Sequence, residues 1–379
     1  MIIGIDAHNV RGNGGSLVHL KELLNNAFPD KNNFEKLIIW VNSEIYTKLP
    51  RKPFIEYIIL PDRNYISAFI WQKFKLGKEA KLKKCNVLFF PGGIYIGKFK
   101  PYIVLAQSML PFDETKNFYK KTLFIWILNI KKLLMLRSFK KASGIIYVSG
   151  SIKKQVEKVG KQIYKNTTVI YHGVSENFKE KNNTTVQHFA VPDNNMPVKL
   201  LTVSSHALHK NLIYLVNTVS EIKRKGIEVE LTIVGPSTKY GTKELFEEVN
   251  RLDPKRKFIK ITGDVDYKEL PKFYEDADIF IITSLCESFG LPLLEAIASN
   301  VPILYQKLDS FNEIIENTKQ KPLCIEFDYA KRNLKSKLLE ILNTKTNFNK
   351  KMELNNFISW EDCSNGTFKY LKNLASEKS

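Results

Sequence analysis

The chain is poor in cysteine. Its four, Cys85, Cys286, Cys324 and Cys363, are far apart and form no CxxC pair. That spacing excludes a zinc ribbon or a disulfide framework and points to a reducing, cytoplasmic setting. Cys286, beside Glu287, reads as a small apolar filler. No run of eighteen uncharged apolar residues occurs, so no transmembrane helix is expected. The first residues, MIIGIDAHNV, have neither a basic region nor an apolar stretch of signal-peptide length, so nothing there marks the chain for secretion. There is no internal repeat of about 20 to 50 residues, which excludes a solenoid, and biased sequence is limited to Asn/Lys-rich patches. No pair of carboxylates with metal-ligand spacing stands out. Asp264 and Asp266 have the spacing but precede a helix, where capping accounts for one of them, and a metal is not expected.

The 379 residues suit two domains of ordinary size, and 44% hydrophobic with 26% charged residues is a globular composition. The net charge of +19 is lopsided: residues 1–175 hold 29 Lys and Arg against 11 Asp and Glu, residues 176–379 hold 29 against 28. The first half therefore predicts a polyanionic partner, whether nucleic acid, an anionic membrane face or a phosphorylated acceptor. Its aromatics Phe69, Trp71, Phe74, Phe124 and Trp126 are candidates for a membrane-facing surface or for ordinary core.

Strands alternate with helices throughout. Ile2 to Asp6 reads as a strand, followed by a glycine loop (Arg11 to Ser16) and a helix over Leu17 to Ala27. Ile66 to Lys84 reads as a basic amphipathic helix with Ile66, Phe69, Ile70, Phe74 and Leu82 on its apolar side. Leu123 to Leu136 is a strongly apolar helix interrupted by Lys131 and Lys132. The rhythm lapses in the polar stretch Lys179 to Asn195 and then restarts, with a strand at Lys199 to Val203 and a helix at His209 to Lys225. Two parallel-sheet α/β domains follow from this alternation. Their expected bounds are 1–178 and 179–355, with a terminal helix, 356–379, anchored by Trp360 and returning to the first.

The most informative stretch is Ser284 to Pro302, SLCESFGLPLLEAIASNVP. An apolar run (Ala277 to Thr283) precedes it and strong helix formers follow, so the unit reads strand, glycine turn, helix, with Pro292 at the first helical position. Glu287 falls in the loop at the carboxyl end of the strand and Glu295 one turn into the helix. Such crevices bind ligands in open α/β sheets. Backbone N–H groups at a helix start welcome oxygen-rich ones. A carboxylate takes paired hydrogen bonds from vicinal hydroxyls, which is how two glutamates grip sugar rings.

With those residues in view, the chain resembles retaining glycosyltransferases of the GT-B fold, the large group sometimes called family 4 or glycosyl transferases group 1, whose hallmark is two glutamates separated by seven residues. The resemblance spans essentially the whole chain. It implies an α/β architecture of two facing Rossmann-like domains with a cleft between them, the first for the acceptor and the second for a nucleotide-sugar donor. By this resemblance Glu287 meets the transferred sugar, Glu295 the ribose, and Ser288, Phe289, Gly290 and Leu291 the donor sugar and phosphate. Lys210, in VSSHALHKN, matches the family's diphosphate-binding lysine, while Ser205 stands where an arginine is usual. Glu287 and Lys210 are thus the expected catalytic groups. Glu287 orients the sugar rather than attacking it, and the leaving phosphate serves as base. Gly14 and Gly15 match the N-terminal glycine loop. Gln107 and Ser108 replace a histidine-aspartate pair, and Gln107 cannot shuttle protons. His172 replaces the asparagine of the hinge turn, and Gly235 ends a strand expected to face the nucleotide.

The expected reaction is transfer from a UDP- or GDP-sugar to a glycan or lipid-phosphate-linked acceptor with retention, in bacterial surface polysaccharide (lipopolysaccharide) assembly. No cofactor beyond the donor substrate is expected, nor is nucleic acid as a partner. The expected place is the cytoplasm, peripheral at the inner face of the membrane through the basic first domain. A nucleotide-sugar epimerase of the same fold and a non-catalytic partner subunit are the alternatives.

Overall fold

The computed structural model describes the chain except residues 11, 13, 62–64, 121, 179–195, 319–322, 344–358 and 377–379. Arg11 and Asn13 of the glycine loop, the polar stretch 179–195 and the start of the terminal segment, 356–358, therefore lie outside the described residues. The chain divides into two units, one of Met1–Glu114, Thr122–Gly173 and Ile358–Ser379, the other of Thr115–Lys121 and Val174–Phe357.

The first unit is built on β1 (Ile2–Asp6), β2 (Lys36–Asn42), β3 (Ile55–Leu60), β4 (Val87–Phe90), β5 (Tyr102–Ala106), β6 (Gly144–Tyr147) and β7 (Thr167–Val169). These form one parallel sheet in the order β3-β2-β1-β4-β5-β6-β7. Strands such as VLFF and YIVLA are buried at every position, as a parallel sheet covered on both faces requires. The order reverses between β1 and β4, so the crevice at their carboxyl ends is the natural place for a ligand. The chain's last helix, Trp360–Ser376, closes this unit. Its Ser364 hydroxyl donates to the Leu23 carbonyl (3.1 Å) and Asn32 donates to Asn365 (2.6 Å), while Phe368 and Leu371 are wholly buried.

The amphipathic helix expected over 66–84 is present as Tyr65–Trp71, a π-helical stretch Gln72–Leu76 and Gly77–Leu82, but its faces differ from expectation. Ala68, Trp71, Gln72, Leu76 and Ala80 are buried, whereas Phe69, Ile70, Phe74 and Leu82 are exposed; the side chain of Ile66 lies outside the described residues. Phe69 and Ile70 precede the π turn and already face outward, so the inward face is the one that carries Ala68 and Trp71; the wide turn shifts the phase only for the residues after it. The apolar helix runs further than expected, Leu123–Lys141, burying Leu128, Met135, Ser138 and Phe139 and exposing Leu123, Trp126, Ile130 and Leu133. No described helix is long and apolar enough to cross a membrane.

The second unit carries β8 (Val198–Val203), β9 (Val229–Val234), β10 (Ile259–Gly263), β11 (Ile279–Ile282), β12 (Ile303–Gln306) and β13 (Cys324–Phe327). All are parallel, in the order β10-β9-β8-β11-β12-β13. Leu200, Ile233, Ile259 and Ile281 from the strands pack with Leu215, Val219 and Leu338 from the helices in one core. The order again reverses between the first and fourth strands, here β8 and β11.

Candidate functional site

That reversal sets the geometry of the site. The loops leaving β8 and β11 start side by side at the carboxyl edge of the sheet, although some eighty residues separate them in sequence. The helix expected over His209–Lys225 begins later: Leu208–Lys210 is a 3-10 turn, Asn211 is left-handed (φ 56°), and the α-helix is Leu212–Arg224. Asn211 breaks the helix, so Lys210 projects from a turn. Its ammonium meets the Glu287 carboxylate at 2.6 Å, with both side chains largely buried. Two further bonds hold the loops together, and a third ties His209 to Tyr119. Thr283 Oγ1 donates to the Lys210 carbonyl (2.9 Å), Leu285 N–H donates to the His209 carbonyl (2.8 Å), and the Tyr119 hydroxyl pairs with His209 Nδ1 (3.0 Å). Burial, with Lys210 adjoining, pushes the His209 imidazole down to about 3, so it is neutral at pH 7.

The motif itself folds as strand, turn and helix. Gly290 caps the helix Leu291–Ala298 at φ 121°, and Pro292 is its second residue rather than its first. A Cβ on Gly290 would lie 2.6 Å from the Phe311 ring, so both conformation and space demand glycine. Phe289 and Cys286 are buried, while Ser288 and Leu291 are half-buried at the helix start. Glu295 is buried. Tyr267 donates to its Oε1 (2.9 Å) and Tyr274 to its Oε2 (3.0 Å). Those bonds favour the carboxylate, yet desolvation outweighs them and pushes the group up to about 7.

Ser205 and Gly235 adjoin one another at the ends of β8 and β9. Gly235 (φ 147°) packs so tightly on this loop that a Cβ would stand 2.1 Å from the Ser204 carbonyl, and its N–H donates to the Gly263 carbonyl (2.8 Å). The Asp266 carboxylate caps the turn Tyr267–Glu269, accepting from Lys268 N–H.

In the first unit, Gly14 caps the exposed start of the helix Gly15–Asn25 with no side-chain cap. Gln107, just past β5, donates to the Pro91 carbonyl (2.8 Å) just past β4. At the end of β1 the buried Asp6 carboxylate holds His8 Nδ1 and accepts from Gln72 Nε2 (2.9 Å), so the π-helical stretch anchors the strand end. Among the described residues, His19, His172 and Cys363 are grouped closely enough to offer three metal-ligand atoms, within 4.8 Å of one another. There the two imidazole rings lie 5.1 Å apart, and His172 packs against Trp360 at 5.3 Å. Burial pushes both imidazoles below the usual histidine range.

The expected residues thus fall into separate groups: Lys210 with Glu287, Ser205 with Gly235, and Glu295 with two tyrosines. Tyr267, Tyr274, Thr283 and Tyr119 were not anticipated, because nothing local marks a tyrosine as a carboxylate's partner. Only the strand order, inferred from the alternating pattern, would have put the ends of β8 and β11 together.

Comparison with solved structures defines the fold. The glycosyltransferase from Rickettsia africae superposes with a TM-score of 0.67 at 17% identity, covering 98% of each chain. HepE of Anabaena, solved with UDP-glucose, gives 0.64 at 14% identity, covering 100% of this chain and 99% of that one. The chain has the GT-B fold, with two Rossmann-like parallel-sheet domains. In sequence, residues 183–357 match the model of the family glycosyl transferases group 1. The O-antigen chain mannosyltransferase RfbU of Salmonella typhimurium is 26% identical over 221 residues, 56% of this chain and 54% of that protein. The match thus spans about half of that relative's length.

Proposed function

We propose that the chain is a retaining glycosyltransferase, moving a sugar from a nucleotide diphosphate sugar to a hydroxyl of a glycan or lipid-linked glycan during surface polysaccharide assembly. The observation that carries this reading is the meeting of Lys210 and Glu287 at the β8/β11 reversal, on the loops where a parallel sheet receives its ligand. Negative charge grows on the departing diphosphate in such a transfer. A preformed ammonium and the N–H groups of the Gly290 helix start suit its stabilisation. Glu287 then both positions the ammonium and offers a carboxylate to sugar hydroxyls. Glu295, on the next helical turn, is the proposed ribose ligand. The family match over 183–357 and the likeness to the mannosyltransferase RfbU support the glycosyl-transfer reading.

We further propose that the first unit works at an anionic membrane face. Leu123 (71% exposed), Trp126 (68%), Ile130 (56%) and Leu133 (63%) recur at helical spacing on one solvent face, in the half of the chain that holds nearly all the excess positive charge.

The test is thermal-shift screening with UDP, GDP and their sugars, followed by donor hydrolysis and transfer assays. Stabilisation by one nucleotide family is expected, with turnover falling about 10²- to 10³-fold in Lys210→Ala and Glu287→Ala, the scale of losing one transition-state donor. Stabilisation by RNA with no nucleotide response would sink the enzyme reading. Binding without turnover in the wild type would favour a non-catalytic subunit.

A further inference from the structure

The helix Leu123–Lys141 has an inward stripe on which one residue is out of character. Leu128, Met135 and Phe139 are buried. Lys131 falls three residues after Leu128 and four before Met135, on the same side of the helix, where an apolar residue would be expected. Its ammonium reaches the Ser108 hydroxyl at 3.2 Å. Ser108 lies two residues beyond β5, at the carboxyl end of the sheet. No carboxylate among the described residues pairs with Lys131, and burial pushes the ammonium below the usual lysine range. A half-buried cation held by one hydroxyl is costly unless an anion completes it. Phosphate fits, since an ammonium is a compact point charge and the hydroxyl adds a donor.

We propose that Lys131 and Ser108 form the phosphate seat for a lipid-phosphate-linked acceptor. The lipid part of the proposal comes from the other side of the same helix. Leu123, Trp126, Ile130 and Leu133 present apolar surface to solvent there, with Ile130 and Leu133 within one helical turn of Lys131 along the chain. A ligand with a charged head and an apolar tail matches both sides at once. This inference rests on the glycosyl-transfer reading for its biological sense, but its binding test is independent of it.

The experiment uses the full chain, following Trp fluorescence and calorimetry with farnesyl phosphate, farnesol and inorganic phosphate as probes. The proteins compared are the wild type, Lys131→Met, Lys131→Arg and, as a charge control, Lys140→Met. Farnesyl phosphate should bind at least tenfold more weakly to Lys131→Met, within twofold of wild type to Lys140→Met, and near wild type to Lys131→Arg. Farnesol should bind weakly and equally to all four. Because methionine suits the inward stripe, Lys131→Met should melt no lower than wild type, which separates lost binding from lost fold. Equal farnesyl phosphate affinity in wild type and Lys131→Met overturns the seat. Inorganic phosphate binding as tightly as farnesyl phosphate, with the same Lys131 dependence, overturns the lipid assignment. UDP thermal shifts run on the same proteins keep the two readings apart. A lost UDP response with Lys131-dependent farnesyl phosphate binding would remove the transferase reading and leave the seat standing.

Discussion

At the scale of single residues, Glu295 is the most informative group. Its folded-state value, raised to about 7 from the ordinary 4.5, means that the fold favours the protonated acid. Its contribution to stability is therefore full below about pH 4.5 and is lost as pH rises through about 7, on the order of 3 kcal/mol across that window. Glu295→Gln should remove this dependence. Thermal melts from pH 5 to 8 should show the wild type losing ground steadily to the variant, and parallel curves would show that the two tyrosines stabilise the carboxylate after all. Much at this scale was legible beforehand. The spacing of Glu287 and Glu295 and the strand-turn-helix around them are local features of sequence. The partners were not: Tyr267 and Tyr274 reach Glu295 through packing, and Lys210 reaches Glu287 through strand order.

At the scale of elements, the helix Leu291–Ala298 depends on its first contact. Gly290 combines a backbone angle that other residues rarely adopt with a wall formed by Phe311. Gly290→Ala should cost about 1–3 kcal/mol, read as a lower denaturant midpoint. Adding Phe311→Ala would relieve the clash without relieving the backbone. If Gly290→Ala unfolds with the wild type, the turn is softer than its geometry implies. Element types followed well from alternation and apolar runs, because parallel strands buried on both faces announce themselves. Phase and boundaries followed less well. The helix before Gln72 turns Ala68 and Trp71 inward and Phe69 outward, so the apolar residues of the sequence did not mark the buried face, and left-handed Asn211 delayed a helix by three residues. The first depends on what packs against the helix and the second is a single-turn event, and an averaged period registers neither.

At the scale of the whole molecule, charge and apolar exposure coincide in the first half of the chain. Flotation with phosphatidylglycerol-containing vesicles should carry the protein at about 50 mM salt and release most of it at about 500 mM, where screening shortens the reach of charge. Trp126→Asp should weaken capture at both. Equal partition onto neutral phosphatidylcholine vesicles would show that the lysines are merely solvated. The two-unit α/β plan was legible from the alternation of strands and helices. The segment Thr115–Lys121, which groups with the second unit, was not. The closing of the first unit by Trp360–Ser376 also bears on biosynthesis. The surface at Leu23 and Phe34 emerges from the ribosome early, while the helix whose Ser364 and Phe368 meet it is made only after the second unit. Counted from Gly173, where the earlier segments of the first unit end, the roughly 200 residues to Ser376 take about ten to forty seconds at about 5–20 residues per second. Through that interval the nascent first unit shows an uncovered apolar face, an opening for chaperones and for misassembly that the finished protein no longer displays.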